Sequence, residues 1–238
     1  MFERPHHRRI AVVLQSLDAA LLREHGAGFG GGTAMALRFG EYRESVDIDF
    51  LVSRVDGYRT LRHLLTGPRG FAAIVRADAS VPEQVREVRA DQYGVRTAVR
   101  VDGQDIKFEL VLEGRVVFEA PGADDVVCGV ATLSSLDLAT SKLLANSDRW
   151  RDDGVFSRDL IDLAMMPMRA PLLHAALDKA KSAYGDSVQR DLGKAIDNLR
   201  DRDGWLERCL TAMDIRLPKA LVWQRVRTLG RLSQDASA

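Results

Sequence analysis

Apolar residues along the chain follow two periods, and the change from one to the other divides the sequence. Ile10, Val13, Leu14, Leu17, Ala20 and Leu21 recur at helical spacing, which predicts a first helix ending near His25-Gly26. The glycine-rich stretch from Gly26 to Thr33 precedes a short helical stretch, Ala34 to Phe39. Residues Asp47 to Val52 alternate polar and apolar and then turn fully apolar, as a strand entering a core does. Asp56 is placed to cap a helix through Leu65. Strand character returns at Phe71 to Val75, Val85 to Val88, Val95 to Val101 and Ile106 to Leu112, with Gly94, Gly103 and Gly114 separating or closing the runs.

From about Val126 the helical period takes over. It predicts helices over Ser134 to Trp150, with Ser134 or Ser135 as cap, and over Val155 to Met166, which Pro167 stops. Pro171 to Tyr184, Asp186 to Leu199, Gly204 to Met213 and Pro218 to Leu232 follow, and residues 233–238 are expected to fray. Strands first and helices afterwards predict an α+β fold, with a first domain over 1–125 and a helical C-terminal domain over 126–238.

Composition narrows the picture by exclusion. The 238 residues suffice for one large domain or two small ones, and 46% hydrophobic with 29% charged residues is ordinary for a soluble protein. Thirty-four basic residues balance 34 acidic ones, so bulk charge argues for no nucleic-acid partner and any such surface must be local. Local asymmetry does occur: Arg216, Lys219, Arg225, Arg227 and Arg231 lie in a stretch without an acidic residue. Two distant cysteines, Cys128 and Cys209, exclude a disulfide framework and a zinc motif and point to a reducing compartment. No window approaches the roughly 18 apolar residues of a membrane span, and the charged N-terminus lacks a signal-peptide core. A cytoplasmic protein is expected.

The candidate chemistry centres on Asp47 and Asp49. One residue apart on a strand, their carboxylates share a face, while Ile48 and Phe50 point the other way. Two such charges repel, and a divalent cation with hard oxygen ligands removes the conflict. An acidic outer face on a solvated strand gives the same pattern, so the neighbours matter. Upstream stands Gly30-Gly31-Gly32-Thr33, where glycines let backbone N–H groups approach a phosphate and the following helix adds donors. It lacks the Gly-Lys-Ser/Thr of a Walker A loop and the spacing of the dinucleotide fingerprint. Downstream, Ile106, Phe108 and Leu110 share one strand face and leave Lys107 and Glu109 on the other, so a strand beside Asp49 would add Glu109 as a third carboxylate. Lys142, Asn146 and Arg149 share one helix face and could meet a triphosphate, with Arg158-Asp159 as a further charged pair. Each also fits a solvated helix face.

Taken together, Gly31-Gly32-Thr33-Ala34-Met35-Ala36-Leu37, Arg43-x-Ser45-x-Asp47-Ile48-Asp49, the Ile106–Val111 strand, Leu136-Asp137-Leu138-Ala139-x-x-Lys142 and Arg158-Asp159-Leu160-Ile161-Asp162-Leu163 resemble the AbiEii/AbiGii toxin nucleotidyltransferases, a branch of the DNA polymerase β-like superfamily. The resemblance spans roughly residues 10 to 165. It implies a polymerase β-like nucleotidyltransferase domain with a mixed sheet, followed by a helical domain that completes the active-site cleft. It implies that Gly31, Gly32, Thr33, Ser45 and Lys142 bind the nucleotide, and that Asp47, Asp49 and Glu109 hold Mg²⁺, with Mn²⁺ as an alternative. Ser45 falls where the family has a serine beside the metal, and Asp159 on the charged residue of the C-terminal motif. Glu109 departs from the aspartate common in the superfamily, and the polar stretch Asp148 to Gly154 loosens the alignment of Asp159.

The function implied is transfer of an NMP from an NTP to an acceptor hydroxyl, with pyrophosphate leaving. The acceptor implied is RNA, at a tRNA 3′ end in some members, and the setting is a toxin with a cognate antitoxin. Alternatives with the same residues are a non-catalytic nucleotide- or partner-binding module, and a nucleotidyltransferase acting on a protein or small molecule. On this reading Lys142→Ala weakens nucleotide use without unfolding the chain.

Overall fold

The computed structural model describes residues 2–235, and the chain divides into two compact units. Unit one comprises residues 1–38 and 45–134; unit two comprises 39–44 and 135–238.

In unit one the predicted first helix is two helices, α1 (Pro5–Ser16) and α2 (Ala19–Glu24). The apolar period continues across the break, but the Asp18 carboxylate accepts from the Leu21 N–H at 2.9 Å and starts a new helix. Leu17 meanwhile pairs as an isolated bridge with Val75. The glycine stretch contains strand β1 (Ala27–Gly30), followed by α3 (Gly31–Arg38) and β2 (Ile48–Val52). Helix α4 (Val55–Thr66) follows; Asp56 lies in its first turn, paired with Arg54, and Arg54 is the cap residue.

The expected strand over Phe71 to Val75 is instead a 3₁₀ turn, Gly70–Ile74. At three residues per turn Phe71 and Ile74 fall on one side, and both are fully buried. Strands β3 (Glu83–Ala90), β4 (Gly94–Val101) and β5 (Gln104–Leu112) complete a mixed sheet of order β1-β2-β5-β4-β3, in which β2 and β5 run parallel. Where helices were expected from Val126, a small hairpin of β6 (Val126–Val127) and β7 (Val130–Ala131) comes first. Phe29, Phe50, Phe108 and Phe71 form a chain of ring contacts at 5.1–5.7 Å through the core. Each is fully buried, and this apolar layer fixes which way the intervening residues of β2 and β5 face.

Unit two is helical: α5 (Ser135–Arg149), α6 (Arg158–Met165), α7 (Ala170–Tyr184), α8 (Ser187–Asp201), α9 (Trp205–Ala212) and α10 (Lys219–Asp235). Residues 233–235, expected to fray, continue α10, while 236–238 lie outside the described residues. Helix α5 packs on α6, α7 and α8, with Leu138, Leu143, Leu160, Leu173 and Leu192 in the shared core. Between α5 and α6, Phe156 and Ser157 both take left-handed conformations at φ 51°, and the Ser157 hydroxyl accepts from the Trp205 indole at 3.0 Å. That turn replaces the polar stretch as the element that sets where α6, and hence Asp159, begins.

Candidate active site

In unit one the candidate residues come from the β1–α3 turn and from one face of β2 and β5. Gly31 sits at φ +66°, where a side chain is strained, and a Cβ there would lie 2.4 Å from Asp49 Oδ2. Turn and carboxylate are therefore in direct contact, and glycine is required for both reasons. Pairing of the strands lines up Gly30, Asp49, Glu109, Arg96 and Arg89 in one row across the sheet. Asp49 is half-buried between the fully buried Ile48 and Phe50, as the alternation requires. Asp47 is half-buried and precedes the strand by one residue.

Glu109 is the direct register partner of Asp49. Its two oxygens meet Arg96 Nε at 3.1 Å and Lys107 Nζ at 3.0 Å. The row thus grades from carboxylates to guanidiniums, with Glu109 ion-paired to Arg96 within it and to Lys107 on its own strand. Among the described residues, no three His, Cys, Asp or Glu side chains gather as a metal-binding group.

Thr33 is buried and its hydroxyl donates to Ser45 Oγ at 2.8 Å, joining the glycine turn to the segment that leads into β2. Two residues with no role in the sequence reading hold that segment. The Ser45 N–H donates to Nε2 of the buried His7 at 3.1 Å, and His6 Nε2 bonds the Val46 carbonyl at 3.0 Å. The first bond makes Nε2 of His7 an acceptor, so its proton is on Nδ1; the second makes Nε2 of His6 a donor. Nothing in the sequence marks this pair beyond adjacent histidines at the start of an amphipathic helix.

Unit two gathers a second polar cluster, buried except for Arg149 at its edge. Lys142 Nζ lies 2.9 Å from Asp159 and 2.6 Å from Asp162. Asp159 also takes two bonds from Arg149, at 2.7 and 3.0 Å. Asp162, fully buried, takes two from Arg43 at 2.7 and 2.9 Å and one from the Tyr42 hydroxyl at 2.6 Å. Burial works against the Asp159 charge, yet Lys142 and Arg149 hold its carboxyl well below the ordinary range. Asp162 is likewise held low against its burial, by Arg43 and Lys142. Tyr42 is pushed up by burial and by the neighbouring Asp162 charge.

The partners of Asp159 are Lys142 and Arg149, two residues of the charged face read on α5. Arg43 and Asp162 stood in the motifs without a role. The signal for Asp162 was present: an aspartate three residues after Asp159, flanked by Leu160, Ile161, Leu163 and Ala164, needs a buried cation.

Comparison with known proteins places this geometry. No curated protein is significantly similar in sequence. Two crystal structures share the fold. A candidate nucleotidyltransferase from H. pylori matches at 18% identity and a TM-score of 0.51, covering 97% of this chain and 92% of its own. JHP933 from Helicobacter pylori matches at 16% identity and a TM-score of 0.53, covering 99% and 93%. The family model for the nucleotidyltransferase AbiEii toxin of type IV toxin–antitoxin systems matches residues 13–221, from α1 to α10. With the glycine turn pressed on Asp49 and the motif residues of α5 and α6 joined in one ion-pair cluster, the chain belongs to the AbiEii family of nucleotidyltransferase toxins.

Proposed function

We propose that the protein transfers an NMP from an NTP to a hydroxyl of RNA, at a tRNA 3′ end, and that unit one carries the nucleotide and the metal. The observation that carries this is the close approach of Gly31 and Asp49, which sets a glycine turn at a helix N-terminus against a carboxylate. Asp47 and Asp49 offer the hard oxygens that Mg²⁺ or Mn²⁺ accepts, and two carboxylates suffice because phosphates and water fill the remaining positions. Glu109, the register partner of Asp49, is the third acid of this reading and is ion-paired to Arg96 and Lys107. When bound, the ion neutralises the triphosphate and activates the attacking oxygen.

Gly31, Gly32 and the Thr33 end of α3 orient the phosphates, and Ser45 fixes Thr33. The acceptor oxygen bonds to the α-phosphorus as the α–β bridging bond breaks; pyrophosphate leaves, and the hydroxyl proton passes to solvent. Within unit two, Asp159 and Asp162 hold the Lys142 ammonium. A cognate antitoxin is the expected partner, as the family implies. No described helix is long and apolar enough to cross a membrane.

The test incubates purified protein and Mg²⁺ with each labelled NTP and total RNA, beside Asp49→Ala. Label on tRNA with the unaltered protein alone is the expected result. Label on protein moves the acceptor to a protein hydroxyl, and no transfer with any NTP leaves a non-catalytic module.

A further inference from the structure

Helices α8 and α10 each carry a glycine in mid-helix, Gly193 and Gly230. Glycine is the least favoured residue there after proline, so its presence calls for a reason. Packing supplies none at Gly193, where a Cβ would meet no heavy atom within 4 Å. At Gly230 it would approach the Ile196 side chain at 3.3 Å. Both glycines line one groove of about 630 Å³ between the two helices, and their missing side chains keep it open.

The groove is cationic and carries one flat aromatic wall. Trp223, Arg227 and Arg231 recur every fourth residue of α10, about 6 Å apart along the axis. Trp223 is half-exposed, and both arginines are exposed. Among the described residues Arg227 pairs with no carboxylate and Arg231 bonds the Thr228 hydroxyl. Elsewhere in the basic stretch Arg216 pairs with Asp214 and Lys219 with Glu207, while Arg225 bonds the Met165 sulfur and is outside the groove lining. Asp197, the one acid among the described lining residues, is paired with Arg200 at 2.9 Å.

We propose that the α8–α10 groove binds a single-stranded stretch of RNA, with a base stacked on Trp223 and phosphates on Arg227 and Arg231. An aromatic face beside a row of unpaired guanidiniums suits that ligand, because every base has a π-face and every linkage a charge. Packed helices lie about 8–10 Å apart, too close to seat a duplex. An acidic peptide would use the arginines and leave the indole face without a matching group. The proposal takes its ligand class from the RNA-acceptor reading, but binding here needs neither NTP nor transfer.

The test measures fluorescence anisotropy of a labelled 12-nucleotide single-stranded RNA with full-length Asp49→Ala protein in EDTA. Adding Arg227→Gln and Arg231→Gln weakens binding at least tenfold and lowers the salt slope by about 1.4, at roughly 0.7 per phosphate. Gly193→Leu fills the groove and weakens binding at least tenfold, while Tm stays level or rises because leucine favours the helix. Trp223→Leu weakens binding, and Trp223→Phe restores most of it.

No binding, binding unaffected by these variants, equal binding of a duplex, or equal competition by poly-glutamate would overturn the assignment. Groove-dependent RNA binding, together with transfer of label only to protein, would support the groove and sink the RNA-acceptor reading.

Discussion

Replacing Asp162 by asparagine is the most informative single perturbation of unit two. The carboxylate is fully buried and accepts from Tyr42, from Arg43 twice and from Lys142. Asparagine keeps the shape but removes the charge. Lys142 retains Asp159, whereas Arg43, with its side chain 6% exposed, loses its carboxylate. Stranding one member of a buried pair costs about 3–5 kcal/mol. For a chain of this length, that lowers Tm by roughly 6–20 °C.

Lys142→Met is the matched contrast. The cluster holds three cations, Arg43, Lys142 and Arg149, against two anions, Asp159 and Asp162. Removing lysine leaves each aspartate with one arginine, so the loss should be about 0–2 kcal/mol, since apolar replacement of buried charge is often tolerated. Calorimetric melts of both variants at pH 7 measure the difference. If Asp162→Asn shifts Tm by less than about 2 °C, or Lys142→Met costs more than Asp162→Asn, the charge accounting is wrong.

Three further outcomes follow from the same contacts. Both aspartates have folded pKa values below the ordinary range, so their contribution is fully present above the unfolded value of about 3.9, begins to fall below it and is lost as pH falls through the lower folded values; acid titration of Tm should show a loss starting below about pH 4 that Asp162→Asn flattens. Gly31→Ala forces a Cβ against Asp49 at a positive φ, and should abolish nucleotide transfer while costing about 1–3 kcal/mol of stability; full activity would disprove the contact. His7→Phe removes the acceptor that holds the Ser45 N–H, and should lower kcat several-fold, whereas His7→Gln, which can accept, should recover part of it; identical kinetics for the two would show that the ring merely fills space.

The sequence revealed what local period controls and hid what distance controls. Alternation in β2 and β5 was strong because each strand has one apolar face, and it placed Glu109 beside Asp49 in register. The helices of unit two were legible from spacing and from Pro167. Asp18 broke a helix whose apolar period ran on, since one side-chain cap outweighed the pattern. Phe71 and Ile74 could not be told from a strand, because five residues carry too little period to separate 3₁₀ from extended chain. The Arg43–Asp162 pair spans 119 positions, and no local rule reaches that far. The histidines that hold Ser45 and Val46 were invisible for the same reason, at separations of 38 and 40.

The short segment Phe39–Glu44 belongs to unit two although unit one flanks it on both sides in sequence. The ribosome therefore delivers Arg43 long before the aspartate it neutralises, and the chain must close a loop of more than a hundred residues before that charge is matched. A fragment starting at Ser135 would contain every helix of unit two and still bury Asp162 without Tyr42 and Arg43. The protein cannot be cut into two self-sufficient pieces at one point, and efforts to express the helical half alone should carry residues 39–44 with it.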